Sequence, residues 1–147
     1  MQTEKVIWIT GGGTGVGKAT AMIMAGPTVH FILSGRRQSE LDVAVAAVQA
    51  VGGSAEAKAL DVGDASQVAQ VAQSILARHD RVDILINSAG TNVPNRAWNS
   101  VTMPDFKRVV DVNLNGAFNC ISTVLPPVCA RAEMGRLSML PRGLASI

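Results

Sequence analysis

The sequence predicts an α/β fold, a doubly wound parallel sheet with helices on both faces. Two observations lead there. Short, β-rich apolar runs alternate with helical stretches long enough to serve as crossovers, and the first apolar run stops in a cluster of glycines. Strands joined by such helices are parallel, and right-handed crossovers place the helices over both faces of the sheet.

Val6 to Thr10 (VIWIT) reads as a buried strand, being short, β-branched and apolar on both sides. The following helix is expected from Val16 to Ala25, with Ala19, Ile23 and Met24 turned to the sheet and Gly26-Pro27 ending it. Val29 to Leu33 is the second strand, and the alanine-rich Glu40 to Val51 is a helix stopped by Gly52-Gly53. Ala55 to Leu60 is the third strand. Asp64 is placed to cap a helix running to about Arg78, because a carboxylate there accepts otherwise unpaired N–H groups. Ile84 to Ile86 form the fourth strand. Beyond the polar stretch Thr91 to Ser100, a long helix is expected, opened by Pro104, bent at Pro126-Pro127 and reaching about Glu133. Gly135 to Leu140 offers a fifth strand, and the remaining chain is too short for further strand–helix units.

Composition narrows the function classes. The 147 residues make one domain, with 48% hydrophobic and 16% charged residues, far from a disordered composition. A net charge of +2, without a basic run interleaved with aromatics, argues against nucleic acid. No apolar run reaches the ~18 residues of a membrane span. The start, MQTEK, lacks the basic region of a secretion signal. Cys120 and Cys129 have neither metal-type nor redox spacing and read as helix-packing thiols, and His79 reads as a helix-end residue. A cytoplasmic location is expected.

The chemistry gathers at Thr10-Gly-Gly-Gly-Thr-Gly-Val-Gly17, between the first strand and the first helix. Glycine lets backbone N–H groups approach a diphosphate, and the helix start adds partial positive charge. The spacing is T-G-x-x-x-G-x-G, with Thr10, Gly11, Gly15 and Gly17 in the fixed places and Gly13, Thr14 and Val16 between them. After the second strand, Gly35 stands where an acid would hold the ribose hydroxyls of NAD, roughly twenty residues past the loop. Arg36 supplies planar donors suited to a 2′-phosphate, and Arg37 adds charge nearby. NADP is therefore expected over NAD, although solvated loop arginines would give the same sequence.

With Asp61-Val62 after the third strand, Asn87-Ser-Ala-Gly90 after the fourth and Asn113 in VNLNG, the glycine loop completes an ordered set. In that order the chain resembles the N-terminal part of a short-chain dehydrogenase/reductase, over about Lys5 to Arg136. The resemblance implies a Rossmann-like NAD(P)-binding domain and hydride transfer between a nicotinamide and a small carbonyl or alcohol substrate. It implies that Asp61 and Val62 flank the adenine, that Asn87, Ala89 and Gly90 line the cofactor, and that Asn113 holds a water in a proton relay as the catalytic member. A homo-oligomer formed through the long helix is also implied. Read alone, Asp61 could be a loop acceptor, Asn87 a buried amide that ties neighbouring strands and Asn113 a helix-bending or surface amide.

The family pairs these motifs with a Ser and a Tyr-x-x-x-Lys, and this sequence holds no tyrosine. Its last residues, LSMLPRGLASI, do not resemble the strand expected there. Codon degeneracy permits Leu137 to Ile147 to read VNVASGLGKH in a frame shifted by one base, which does resemble it. The expectation is thus a single domain over 1–147 whose stretch 137–147 is aberrant, from a one-base deletion near Arg136, leaving the fold incomplete at its C-terminal side. Two other readings stay open, a non-catalytic nucleotide-binding or interaction module and a non-functional truncation.

Overall fold

The computed structural model describes residues 4–94, 96–130 and 136–139. The elements run β1 (Lys5–Thr10), α1 (Gly15–Met24), β2 (Val29–Gly35), α2 (Gln38–Ala50), β3 (Ser54–Ala59), α3 (Ala65–His79), β4 (Ile84–Asn87), α4 (Met103–Val110), a π-helical turn (Asp111–Asn115), α5 (Gly116–Ala130) and β5 (Arg136–Met139). All strand pairs are parallel, in the order β3-β2-β1-β4-β5. The chain crosses from β3 over β1 to β4, so the order reverses between β1 and β4. In such sheets ligands bind at that switch, outside the carboxyl ends of the strands.

Alternation along β1 divides the core in two. Val6 and Trp8 face α3 and α5, packing with Ile32, Val68, Ile75, Leu85 and Val124. Ile7 and Ile9 face α1 and α2, with Phe31, Leu33, Leu41, Ala44 and Val48. Both faces of the sheet are covered, as its uninterrupted apolar strands require. The buried indole of Trp8 donates to Ser34 Oγ at 2.9 Å, so its polar atom is not stranded. Cys120 is also fully buried, and burial pushes its thiol up to about 12, the state of a packing residue.

Two expectations about helices are corrected. Gly17 and Ala21, not Ala19, Ile23 and Met24, turn to the sheet, and Ile23 is 84% exposed. A Cβ at Gly17 would collide with the Gly11 carbonyl oxygen, so close packing of Gly17 on the loop fixes the phase of the whole helix. The long helix is interrupted at Asp111–Asn115 by a π-helical turn, where an unbroken α-helix was expected. There the Asn113 side chain accepts from Thr91 N (2.7 Å) and donates to Thr91 O (3.0 Å). A widened turn accommodates that anchorage together with the approach of Gly116 to Val62, whose Cγ2 would lie 2.6 Å from a Cβ at 116.

Pro104 does stand in the first turn of α4, and the Thr102 and Asp105 side chains close a reciprocal capping box around it. Asp64 caps α3 as expected, accepting from Ser66 N and Gln67 N. Backbone pairing of Arg136–Met139 with β4 supplies the fifth strand. The expected helix end near Glu133 and residues 140–147 of the expected aberrant stretch lie outside the described residues.

Candidate functional site

The loop after β1 is built on two glycines at positive φ, Gly11 (+68°) and Gly15 (+54°). Their surroundings differ. A Cβ on Gly11 would stand 2.7 Å from Ala89 N and from Ser88 O, so this glycine lets the loop lie against the end of β4. At Gly15 nothing lies within 4 Å of an added Cβ. The helix starting there is also bare: Thr14, its N-cap, makes no side-chain capping bond, and the first turn holds no acid. With no side-chain cap, the amino end of α1 keeps its N–H groups and its partial positive charge for an anion; α2 also lacks a side-chain cap but has Glu40 in its first turn, whereas α3 and α4 are capped. A positive-φ glycine facing open space beside an uncapped helix end fits a diphosphate.

A cleft of about 200 Å³ opens over these groups at the carboxyl ends of the strands. Gly11, Gly13 and Thr14 form one wall; Gly35, Arg36 and Arg37 follow from β2, Asp61 and Val62 from β3, and Ala89 and Gly90 from β4. Motifs distant in sequence therefore meet at the switch between β1 and β4. Asp61 is held by its own loop, with Oδ1 accepting from Gly63 N at 3.0 Å. Arg37 is paired with Glu40 at 3.2 Å. Arg36 makes no ion pair among the described residues and also borders a neighbouring groove of about 480 Å³ that contains Lys107 and Arg108.

Other residues singled out from the sequence stand behind the cleft. Thr10 is buried, and its Oγ1 accepts from Ala89 N at 3.2 Å, joining β1 to the chain after β4. Gly17 is buried under the loop, while Gly15 and Val16 are exposed beside it. Asn87 is buried opposite Thr10, and its side-chain amide has no hydrogen-bond partner among the described residues. Asn113 spends its amide on Thr91, fixing the segment that follows Gly90.

Sequence reasoning missed several participants. Leu60, Leu41 and Val112 give the cleft apolar lining, and ordinary core-type residues carry no signal that marks them. Asn119 donates to Val62 O at 3.0 Å from within α5, holding the loop after β3. An amide inside the apolar run FNCIS was the available clue.

The family model described as short chain dehydrogenase matches residues 5–137. Among curated relatives, 2,3-dihydro-2,3-dihydroxybenzoate dehydrogenase of Escherichia coli is 36% identical over 115 residues, covering 78% of this chain and 42% of the relative. A metagenomic short-chain oxidoreductase solved in complex with NADP superposes with a TM-score of 0.87 at 25% identity, over 94% of this chain and 62% of the other. NAD⁺-bound xylitol dehydrogenase gives the same TM-score at 27% identity, over 94% and 53%. The chain spans about half the length of the curated relatives it matches. With a family match over residues 5–137 and a cleft at the sheet's switch point, the chain belongs to the short chain dehydrogenase family and has its NAD(P)-binding Rossmann fold.

Proposed function

We propose that this chain holds NADP, in preference to NAD, for an oxidoreductase that interconverts a small carbonyl compound and its alcohol. The observation that carries the preference is the end of β2, where Gly35 leaves no carboxylate and Arg36 borders the cleft without an ion pair among the described residues. A carboxylate at that place would accept from ribose hydroxyls and repel a 2′-phosphate, whereas a guanidinium offers such a phosphate two parallel donors. One solved neighbour holds NADP and another NAD⁺, so the preference is argued from this chain's own residues.

The chain's residues divide the binding work. The uncapped start of α1 and the Gly15 opening receive the diphosphate, Asp61 and Val62 border the adenine, and Ala89 and Gly90 form the wall beside the nicotinamide half. When bound, the cofactor supplies or accepts a hydride. Asn113 keeps that wall in place through Thr91 and is the residue of this chain we assign to the proton-relay region. With no tyrosine in the sequence, the chain carries no phenol to protonate a carbonyl oxygen. A second reading is a nucleotide-binding module without turnover of its own. A cytoplasmic setting and self-association through α4 and α5 belong to the same proposal; no helix among the described residues is long and apolar enough to cross a membrane.

Titration with NADPH and NADH, followed by the fluorescence of the reduced nicotinamide, tests the binding assignment. Tighter binding of NADPH is expected, and equal affinities would overturn the preference. An NADPH oxidation assay across simple aldehydes and ketones then separates an enzyme from a binding module.

A further inference from the structure

The chain's two histidines meet at the amino end of the sheet, opposite to the nucleotide cleft. Register brings them there. His30 pairs with Ser54 and Ile32 with Glu56, so alternation puts His30, Ser54 and Glu56 on the face that α3 covers. His79 is the last residue of α3 and arrives over the same spot. Its ring lies 4.7 Å from that of His30, centroid to centroid, and its Nε2 is 3.3 Å from Glu56 Oε1.

The sequence presents His79 as a plain helix-end residue, but the surroundings ask for more. His30 Nδ1 is 2.7 Å from Ser54 Oγ, while His30 Nε2 is buried without a hydrogen-bond partner among the described residues. In the tautomer in which Nδ1–H donates to Ser54, Nε2 carries a lone pair that no described group engages. A ring nitrogen fixed through its other nitrogen by an oxygen is the arrangement that orients histidine toward a metal. Arg78 holds Glu56 Oε2 at 3.0 Å and so orients the carboxylate, although Lys58, 3.9 Å from Oε1, competes for it. The ligand atoms of His30, Glu56 and His79 all lie within 4.8 Å of one another. Tetrahedral bonds of ~2.0–2.2 Å bring ligand atoms closer than that, so binding draws the three side chains together.

We propose that His30 Nε2, His79 Nε2 and Glu56 Oε1 form a site for a borderline divalent transition metal such as Zn²⁺, with the fourth position open to water. His79 binds as the neutral ring with its proton on Nδ1, and the metal replaces its present contact with Glu56. Two imidazoles and one carboxylate suit such an ion better than Mg²⁺ or Ca²⁺, which prefer oxygen ligands. The ion would tie the end of α3 to the β2–β3 edge. This site is separate from the NADP assignment.

Zn²⁺ titration of the full chain against a chromophoric chelator, in metal-stripped buffer, is expected to show one equivalent bound. His30→Gln and His79→Gln should each weaken it at least about tenfold, and Ser54→Ala about tenfold through loss of the orienting partner. Circular dichroism checks the fold of each variant. Independently of any variant, long-range ¹⁵N NMR of the unaltered chain should show both histidine rings shifting up to one equivalent of Zn²⁺, with no assignment ambiguity because there are only two. Unmoved ring signals at one equivalent, or Zn²⁺ affinity unchanged in both folded histidine variants, would overturn the site.

Discussion

At the residue scale, the cleft separates side chains that meet a ligand from those that shape the backbone around it. Arg36 belongs to the first group. Arg36→Ala should lower NADPH affinity while leaving that for NADH nearly unchanged. A charge-assisted bond is worth about 1.5–3 kcal/mol, less where solvent screens it, so the loss should be several-fold. Parallel losses for both cofactors would mean that the guanidinium does not read the 2′-phosphate. Gly15 and Gly17 distinguish the groups further. Gly15→Val places a branched side chain at a positive φ and in the open space beside the helix start, so a folded variant should bind neither cofactor. Gly17→Val collides with the Gly11 carbonyl oxygen instead and should lower the melting temperature before any question of binding arises. Undiminished NADPH affinity in folded Gly15→Val protein would remove the diphosphate from this loop. The glycines were legible in sequence because only glycine tolerates such places. Thr10 and Asn87 were legible as motif members, but their burial behind the cleft depends on the pairing of β1 with β4, which no local pattern encodes.

Element-scale differences arise where tertiary contact overrides local pattern. The five strands and the α3 cap follow from runs and caps that act within a few residues. The facing of α1 does not, because Gly17 settles it through a contact with the preceding loop, and apolar spacing alone pointed to Ile23. The π-helical turn has only one local hint, Asn113 read as a helix-bending amide. Its cause is Asn113 reaching Thr91, a residue of the loop after β4. Asp64 allows an element-scale test by acidity. The Gln67 backbone N–H bond, followed by the Gln67 side-chain amide and the Ser66 N–H, holds its carboxyl below the usual carboxylate range. A depressed folded pKa stabilises fully above the unfolded value and is lost as pH falls through the folded one. Asp64→Ala should therefore be less stable than the unaltered chain near neutrality, with the gap steady down to about pH 5 and closing below about pH 4. Urea unfolding across that range measures it, and a gap independent of pH would show that the charge on Asp64 does not contribute.

For the whole molecule, the apolar surface left uncovered is as informative as the core. Phe106, Leu114 and Phe118 are each more than half exposed, and Leu125 is 43% exposed, along α4, the π-helical turn and α5. Their separations in sequence fall near one or two helical turns, and the extra residue of the π turn adjusts the phase between the two helices. By contrast, Cys120 and Val124 on α5 are buried against α3 and the sheet, so the helix carries one satisfied face and one bare one. Bare contiguous apolar faces of this kind mark association surfaces, and burial at roughly 25 cal/mol per Å² favours covering them. Two copies of the chain joined through Phe106, Leu114, Phe118 and Leu125 would do so with side chains that do not line the cleft or its neighbouring groove. We therefore expect mass to rise with concentration in analytical ultracentrifugation. Leu114→Glu with Phe118→Glu should shift the chain to monomer while preserving its NADPH affinity. If the unaltered chain stays monomeric at the highest concentrations reached, the face is not a self-association surface. If the double variant binds NADPH much more weakly, the face and the cleft are coupled through the π-helical turn, and the independence argued from their separation is wrong.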